Sequence, residues 1–183
     1  MIELAIDGSF EAIDLSIFEK GELIYGLFVR SRSTHSKILT HIFDSAFKQL
    51  SLELNQIDRF YCCIGCGKYT SLRVTLATMK GMLFDIKDHI YTFALPDLIA
   101  ASSGYERTFR VICRTSKSSC CFADYTTQNG ETTRISEIEK SDIEEAENTD
   151  LPIVTRPAMC ITSNIHKVKH IEKVKLLDLK PLY

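Results

Sequence analysis

No run of about eighteen apolar residues occurs in the chain, so no segment has the make-up of a membrane-crossing helix. Neither sign of charge dominates: 22 Lys and Arg stand against 24 Asp and Glu, a formal charge of −2. A domain that grips nucleic acid by itself usually carries a basic excess, so this balance argues against autonomous binding. It leaves room for a subunit whose partner makes the RNA contact. A signal-peptide pattern is missing too, because Glu3 and Asp7 interrupt the N-terminus and no apolar stretch follows. The seven cysteines are odd in number, and without an export signal they predict a cytoplasmic protein with reduced thiols. Internal repeats and low-complexity tracts are absent.

Nucleotide-loop signatures also fail on spacing. A G-x-x-x-x-G-K-[ST] motif ending at Gly67-Lys68 needs glycine at 62 and a hydroxyl residue at 69, where the chain has Cys62 and Tyr69. A dinucleotide fingerprint needs a third glycine at 70, which is Thr70. The acidic stretch 135–150 lacks the Asp/Gly pattern of a calcium loop and reads as a solvated, partly helical flap. Cys63 and Cys66 form a C-x-x-C. Redox and zinc readings compete there with that of small buried hydrophobes, and the adjacent Cys120 and Cys121 point to opposite faces of any strand. No Ser/His/Asp set or carboxylate pair is legible, so no catalytic residue, metal or cofactor is assigned.

What the chain does have is organised around residues 65–81. Ile57–Ile64 is apolar and predicts a buried strand. Gly65 and Gly67 then make a turn, Thr70 is placed to cap, and apolar residues at 72, 76, 79, 83 and 86 predict a helix over 70–86. A strand–glycine turn–helix unit of this kind presents free backbone N–H groups at the helix start, near which Lys68 would attract an anion. Before it, Met1–Ile6 predicts a strand ending at Asp7-Gly8-Ser9, and Ala12–Glu19 and Glu22–Arg30 predict a hairpin turning at Lys20-Gly21. Ser33 or Thr34 is placed to cap a helix over 34–50 whose apolar band is wider than one sheet contact needs. His35 and His41 read as capping or surface residues rather than ligands.

The 65–81 stretch resembles the G-P-G-S-F-T-G-L-R-x-G-L-A-x-A-K-G signature of the TsaB (YeaZ) family. Gly65, Gly67, Thr70, Leu72, Arg73, Leu76, Ala77, Lys80 and Gly81 match, and Cys66, Lys68 and Ser71 depart. Ile6-Asp7-Gly8-Ser9, His35-Ser36 with Ile38, Leu39 and Ile42, and the Lys180-Pro181-Leu182-Tyr183 end resemble further family positions. Where the family shows D-A-R-R, the chain keeps only the arginine, Arg114. The resemblance implies an α/β protein of actin/Hsp70-like (RNase H-like, ASKHA) fold, with two lobes of mixed sheets and a shortened second lobe. The lobes are expected at 1–104 and 105–183.

The resemblance further implies a non-catalytic dimerisation scaffold in tRNA threonylcarbamoyladenosine (t6A) modification, binding TsaD and with it TsaE, and reaching tRNA only indirectly. Helices 34–50 and 70–86 would form the partner face through Ile38, Ile42, Ala46, Phe47, Leu72, Leu76, Met79, Lys80 and Leu83, and would self-associate when alone. Asp7 and Ser9 stand where true kinases of this fold hold metal and phosphate. With no second acidic motif, Asp7 reads better as the cap of a strand end. Two alternatives stay open: a small-molecule kinase or ATPase using Asp7 and the 65–70 loop, and a degenerate relative with another partner.

Overall fold

The computed structural model describes residues 1–30, 35–85, 89–155 and 161–182. The expected caps at Ser33 and Thr34, the helical position 86 and Tyr183 lie outside the described residues.

Strands β1 (Ile2–Asp7), β2 (Ala12–Glu19) and β3 (Glu22–Arg30) form an antiparallel meander. Its turn at Lys20-Gly21 has φ of 52° and 85°, a doubly left-handed pair that glycine and few other residues adopt cheaply. Helix α1 (His35–Leu50) leads to β4 (Arg59–Gly65), which lies parallel to β1. Helix α2 (Tyr69–Met82) crosses to β5 (Ile90–Ala94), parallel to β4, and α3 (Leu95–Ser102) follows with Pro96 in its first turn. A second sheet holds β6 (Thr108–Arg114), β7 (Ser119–Gln128) and β8 (Glu131–Arg134), and β7 turns into β8 at Asn129-Gly130. Strand β9 (Glu139–Asp142) pairs with β7, helix α4 (Ile143–Glu147) follows, and β10 (Ile153–Val154) lies parallel to β6. The acidic flap is therefore partly built into the second sheet. Its Ile143 and buried Ala146 pack on Ile112 and Phe122.

The first sheet has the order β11-β5-β4-β1-β2-β3, where β11 is Glu172–Val174. It buries both faces. One face carries Leu4, Ile6, Leu15, Phe60 and Cys62 against Leu39, Phe43, Leu76 and Met79 of the two helices. The other packs Ala5, Phe18, Tyr61 and Phe93 against α3 and the inner face of the second sheet, with Phe109, Val111, Ala123 and Tyr125. Strands buried on both sides read as near-continuous apolar runs, which is why β4 was legible as a strand.

A cut after residue 104 does not separate the lobes. The chain returns after the second sheet: β11 pairs with β5, and a 3-10 turn at Thr162–Lys167 docks on β1 and β2. Buried carboxylates secure that return. Asp14 accepts from the Ile161 amide at 2.7 Å, the Thr162 amide at 3.3 Å and the Thr162 hydroxyl. Glu3 accepts from the Tyr61 hydroxyl at 2.9 Å, and its other oxygen lies 2.9 Å from His166 Nε2. Removing the Asp14 carboxylate leaves buried amide donors without an acceptor, at about 1–3 kcal/mol each. Asp14→Ala is expected to lower stability by about 2–5 kcal/mol. Limited proteolysis should then cut first near residue 161, ahead of any site in β1–β5.

Candidate functional site

Two glycine-bearing loops meet at one pole of the first sheet. The first, Asp7-Gly8-Ser9, ends β1, and the second, Gly65–Lys68, joins β4 to α2. A Cβ on Gly67 would stand 2.3 Å from the Ser9 carbonyl oxygen and 2.5 Å from the Ser9 Cβ. A Cβ on Gly8 would stand 2.2 Å from Thr75 Oγ1 on α2. The Lys68 amide donates to the Ser9 carbonyl at 2.6 Å, closing the two loops on each other. Gly65 has φ of 139°, a backbone region that essentially only glycine enters.

This closure decides what Asp7 does. The residue is fully buried, and its Oδ1 accepts from the Ser9 amide at 2.8 Å. That is the short Asx-type bond of a strand-end cap, as the sequence predicts, rather than a carboxylate facing solvent. Ser9 is fully buried as well. Lys68 pairs with Glu11 across the loops, and the lysine lowers the pKa of the Glu11 carboxyl by hydrogen bond and charge. Helix α2 begins one residue earlier than expected. Lys68, not Thr70, is at the cap position, and it makes no side-chain cap bond.

His35 lies beside this pole, only 6% exposed, with neither ring nitrogen in a hydrogen bond of normal geometry. Burial lowers its pKa from 6.5. The nearby Ser71 backbone, the Asp7 carboxylate and the Glu11 backbone oppose that shift without cancelling it.

The helix pair takes the nine expected interface residues in two directions. Ile42, Ala46, Leu72, Leu76, Met79 and Leu83 face inward and are buried on the chain's own sheet. Ile38, Phe47 and Lys80 are half-exposed at the margin. The expected apolar outer band is therefore corrected: the most regular apolar stripe serves the monomer core, because the sheet beneath must be covered first. The open side of α2 instead runs through Arg73, Ala77 and Gly81 to Phe84, which is 69% exposed. A Cβ at Gly81 would meet nothing within 4 Å. Arg73 of the motif lies over the ring of Tyr69, 5.3 Å from its centroid. Spacing alone could not tell inner from outer stripe; the small Ala77 and Gly81 were the available signal.

Between the lobes, Gly67 and Tyr69 face Thr115, Ser119, Cys121 and Lys140 across a cleft of about 660 Å³. On the opposite side Asp97 ties the lobes together, accepting from Tyr125 at 2.8 Å and Arg134 at 3.1 Å. Among the described residues no group of three or more His, Cys, Asp or Glu side chains is arranged to hold a metal ion.

Compared with known proteins, residues 30–129 match the family model described as TsaD, tRNA N6-adenosine threonylcarbamoyltransferase. No curated protein matches the chain by sequence. Among solved structures, a Pseudomonas aeruginosa protein with similarity to peptidase YeaZ superposes with a TM-score of 0.82 at 12% identity, covering 100% of this chain and 98% of its own. YeaZ from Pseudomonas aeruginosa superposes with a TM-score of 0.81 at 13% identity, covering 100% of this chain and 99% of its own. The fold is the actin/Hsp70-like (ASKHA) fold with mixed sheets and a shortened second lobe, and the TsaB (YeaZ) resemblance of the 65–81 motif agrees with family model and fold alike.

Two measurements check this pole. Gly67→Ala places a carbon against backbone that has no room to give, and it should cost about 1–3 kcal/mol in denaturant unfolding. Gly21→Ala, where open space surrounds the glycine, reports backbone strain alone as the control. Because the folded protein holds His35 neutral, the unfolded chain takes up the proton first as pH falls below 6.5. His35 therefore removes stability toward acid. His35→Gln is expected to flatten the fall in melting temperature between pH 7 and about pH 5, and an unchanged slope would contradict the assignment.

Proposed function

The chain belongs to the tRNA N6-adenosine threonylcarbamoyltransferase (TsaD) family and carries the YeaZ fold; on that premise we propose that it is a TsaB-type, non-catalytic partner subunit in t6A modification of tRNA. In this reading it docks TsaD through the outer side of α1 and α2, and with it TsaE, while tRNA is met by the assembly rather than by this chain.

The observation that supports it best is the shape of α2's open side. Ala77 and Gly81 leave the backbone bare for a close approach, and Arg73 and the exposed Phe84 flank them. Half-exposed Ile38, Phe47, Val74 and Met82 extend an apolar margin on both helices. Small residues let two helices approach closely, and an aromatic beside them is the kind of anchor that dominates association energy. Self-association through the same face follows when the partner is absent.

A non-catalytic role is favoured by the closed pole. Asp7 is used within its own turn, and Gly67 leaves no space above Ser9. A kinase of this fold would need both open to metal and phosphate.

Co-expression with TsaD from the same organism, followed by native mass measurement, tests the reading. Gly81→Ala should stabilise the isolated chain by about 0.5–1 kcal/mol through helix propensity, yet weaken the complex by narrowing the approach. Ala77→Glu should weaken the complex by about tenfold or more with melting nearly unchanged. Full association by both variants would overturn the proposed face, and tight Mg-ATP binding by the isolated chain would favour the kinase alternative.

A further inference from the structure

On the side of the interlobe layer away from the motif loops lies a cavity of about 370 Å³ that the function above does not use. Asp97 and Arg134 are the least exposed of the charged residues that line it. Arg134 commits one nitrogen to the pair: Nη1 donates to both Asp97 oxygens, at 3.2 and 3.1 Å. The Tyr125 hydroxyl completes Asp97 with a bond of 2.8 Å. Among the described residues, Nε and Nη2 of Arg134 have no acceptor, so most of a planar fork of donors is unspent.

Glu137 and Glu172 line the same cavity. Both are exposed, and neither carboxylate is in an ion pair among the described residues. Because Asp97 and Arg134 offset each other, these two acids leave the lining with an excess of negative charge. The remaining walls are apolar, with Ile64, Phe93, Ile138 and Leu182. Leu182 is held in place by its own amide, which donates to the Ile64 carbonyl at 2.8 Å.

We propose that this cavity binds a free α-amino acid with an aliphatic side chain. Simpler ligands answer only half of the lining. A carboxylate or phosphate without a positive group meets Glu137 and Glu172 as like charges. An amine without a carboxylate satisfies those acids and leaves the Arg134 donors uncovered. A metal ion finds no group of three His, Cys, Asp or Glu side chains among the described residues.

A zwitterion answers both demands. Its carboxylate accepts from Nε and Nη2 in the paired geometry that arginine favours, and its ammonium is drawn to Glu137 and Glu172. Its side chain covers the four apolar residues. The volume lies toward the lower end of the range for small-molecule pockets, which suits an amino acid better than a nucleotide. This inference rests on the cavity and not on the docking of TsaD, so each can fail without the other.

The test is isothermal titration calorimetry of the full chain with L-leucine, L-isoleucine, L-valine and L-methionine in turn. Isocaproate, which is leucine without its ammonium, and isoamylamine, which is leucine without its carboxylate, are the controls. At least one amino acid is expected to bind and to raise the melting temperature, while both controls do neither. The double variant Glu137→Gln with Glu172→Gln should weaken that binding by about tenfold, and Arg134→Lys by about as much or more. Both glutamates are exposed, so the double variant keeps the fold even if Arg134→Lys, which touches the tie between the lobes, does not. Binding by none of the four, equal binding by either control, or binding that the double variant leaves unchanged overturns the proposal.

Discussion

The close contact of Gly67 with the backbone of Ser9 is the constraint on which the rest depends. It brings the end of β1 and the turn after β4 together with no side chain between them. The position of α2 follows, since the helix starts at Tyr69 and Thr75 packs on Gly8 nearly two turns later. Once α2 is placed, its apolar stripe must cover the first sheet beside α1, and its small residues are left to the outside. A backbone-to-backbone contact of this kind tolerates no Cβ, so the identity of one residue carries a geometry that reaches the far end of a helix.

The second sheet is held to the first by different physics. Across the shared apolar layer, Asp97 is almost fully buried between Tyr125 and Arg134. Burial raises its carboxyl and the two donors work against that rise, so the ion pair survives because hydrogen bonds offset desolvation. Burial and the same carboxylate push the Tyr125 hydroxyl upward too. Glu3 and Asp14 do the corresponding work for the returning C-terminal segment, which explains why a chain that looks like two consecutive lobes folds with its end back on the first sheet. Such charges contribute less as isolated pairs than as markers of one register among several apolar alternatives.

Together these constraints leave a molecule with a closed pole, a covered sheet and open outer sides on α1 and α2. The interlobe cleft persists, lined by Cys120 and Cys121 of β7 and by Thr115, Ser116 and Ser119 around the β6–β7 turn.

The sequence by itself determined the strand–glycine turn–helix unit, the opening meander with its Lys20-Gly21 turn, and the capping role of Asp7. Each rests on local chemistry: backbone conformations that few residues adopt, apolar period, and a short side chain bonding two residues on. Nine matched positions in one register carried the family as well. Tertiary structure alone decided which stripe of α1 and α2 met the sheet, because 3.6-residue periodicity fixes the spacing of a face but not its partner. It also decided that β11 returns to β5, since three residues of Glu172–Val174 hold too little pattern to name a distant strand. And it decided that Cys66 of the motif joins Cys113 and Cys121 of the second sheet in one core, for contact between residues so far apart is set by how two sheets stack, not by any spacing along the chain.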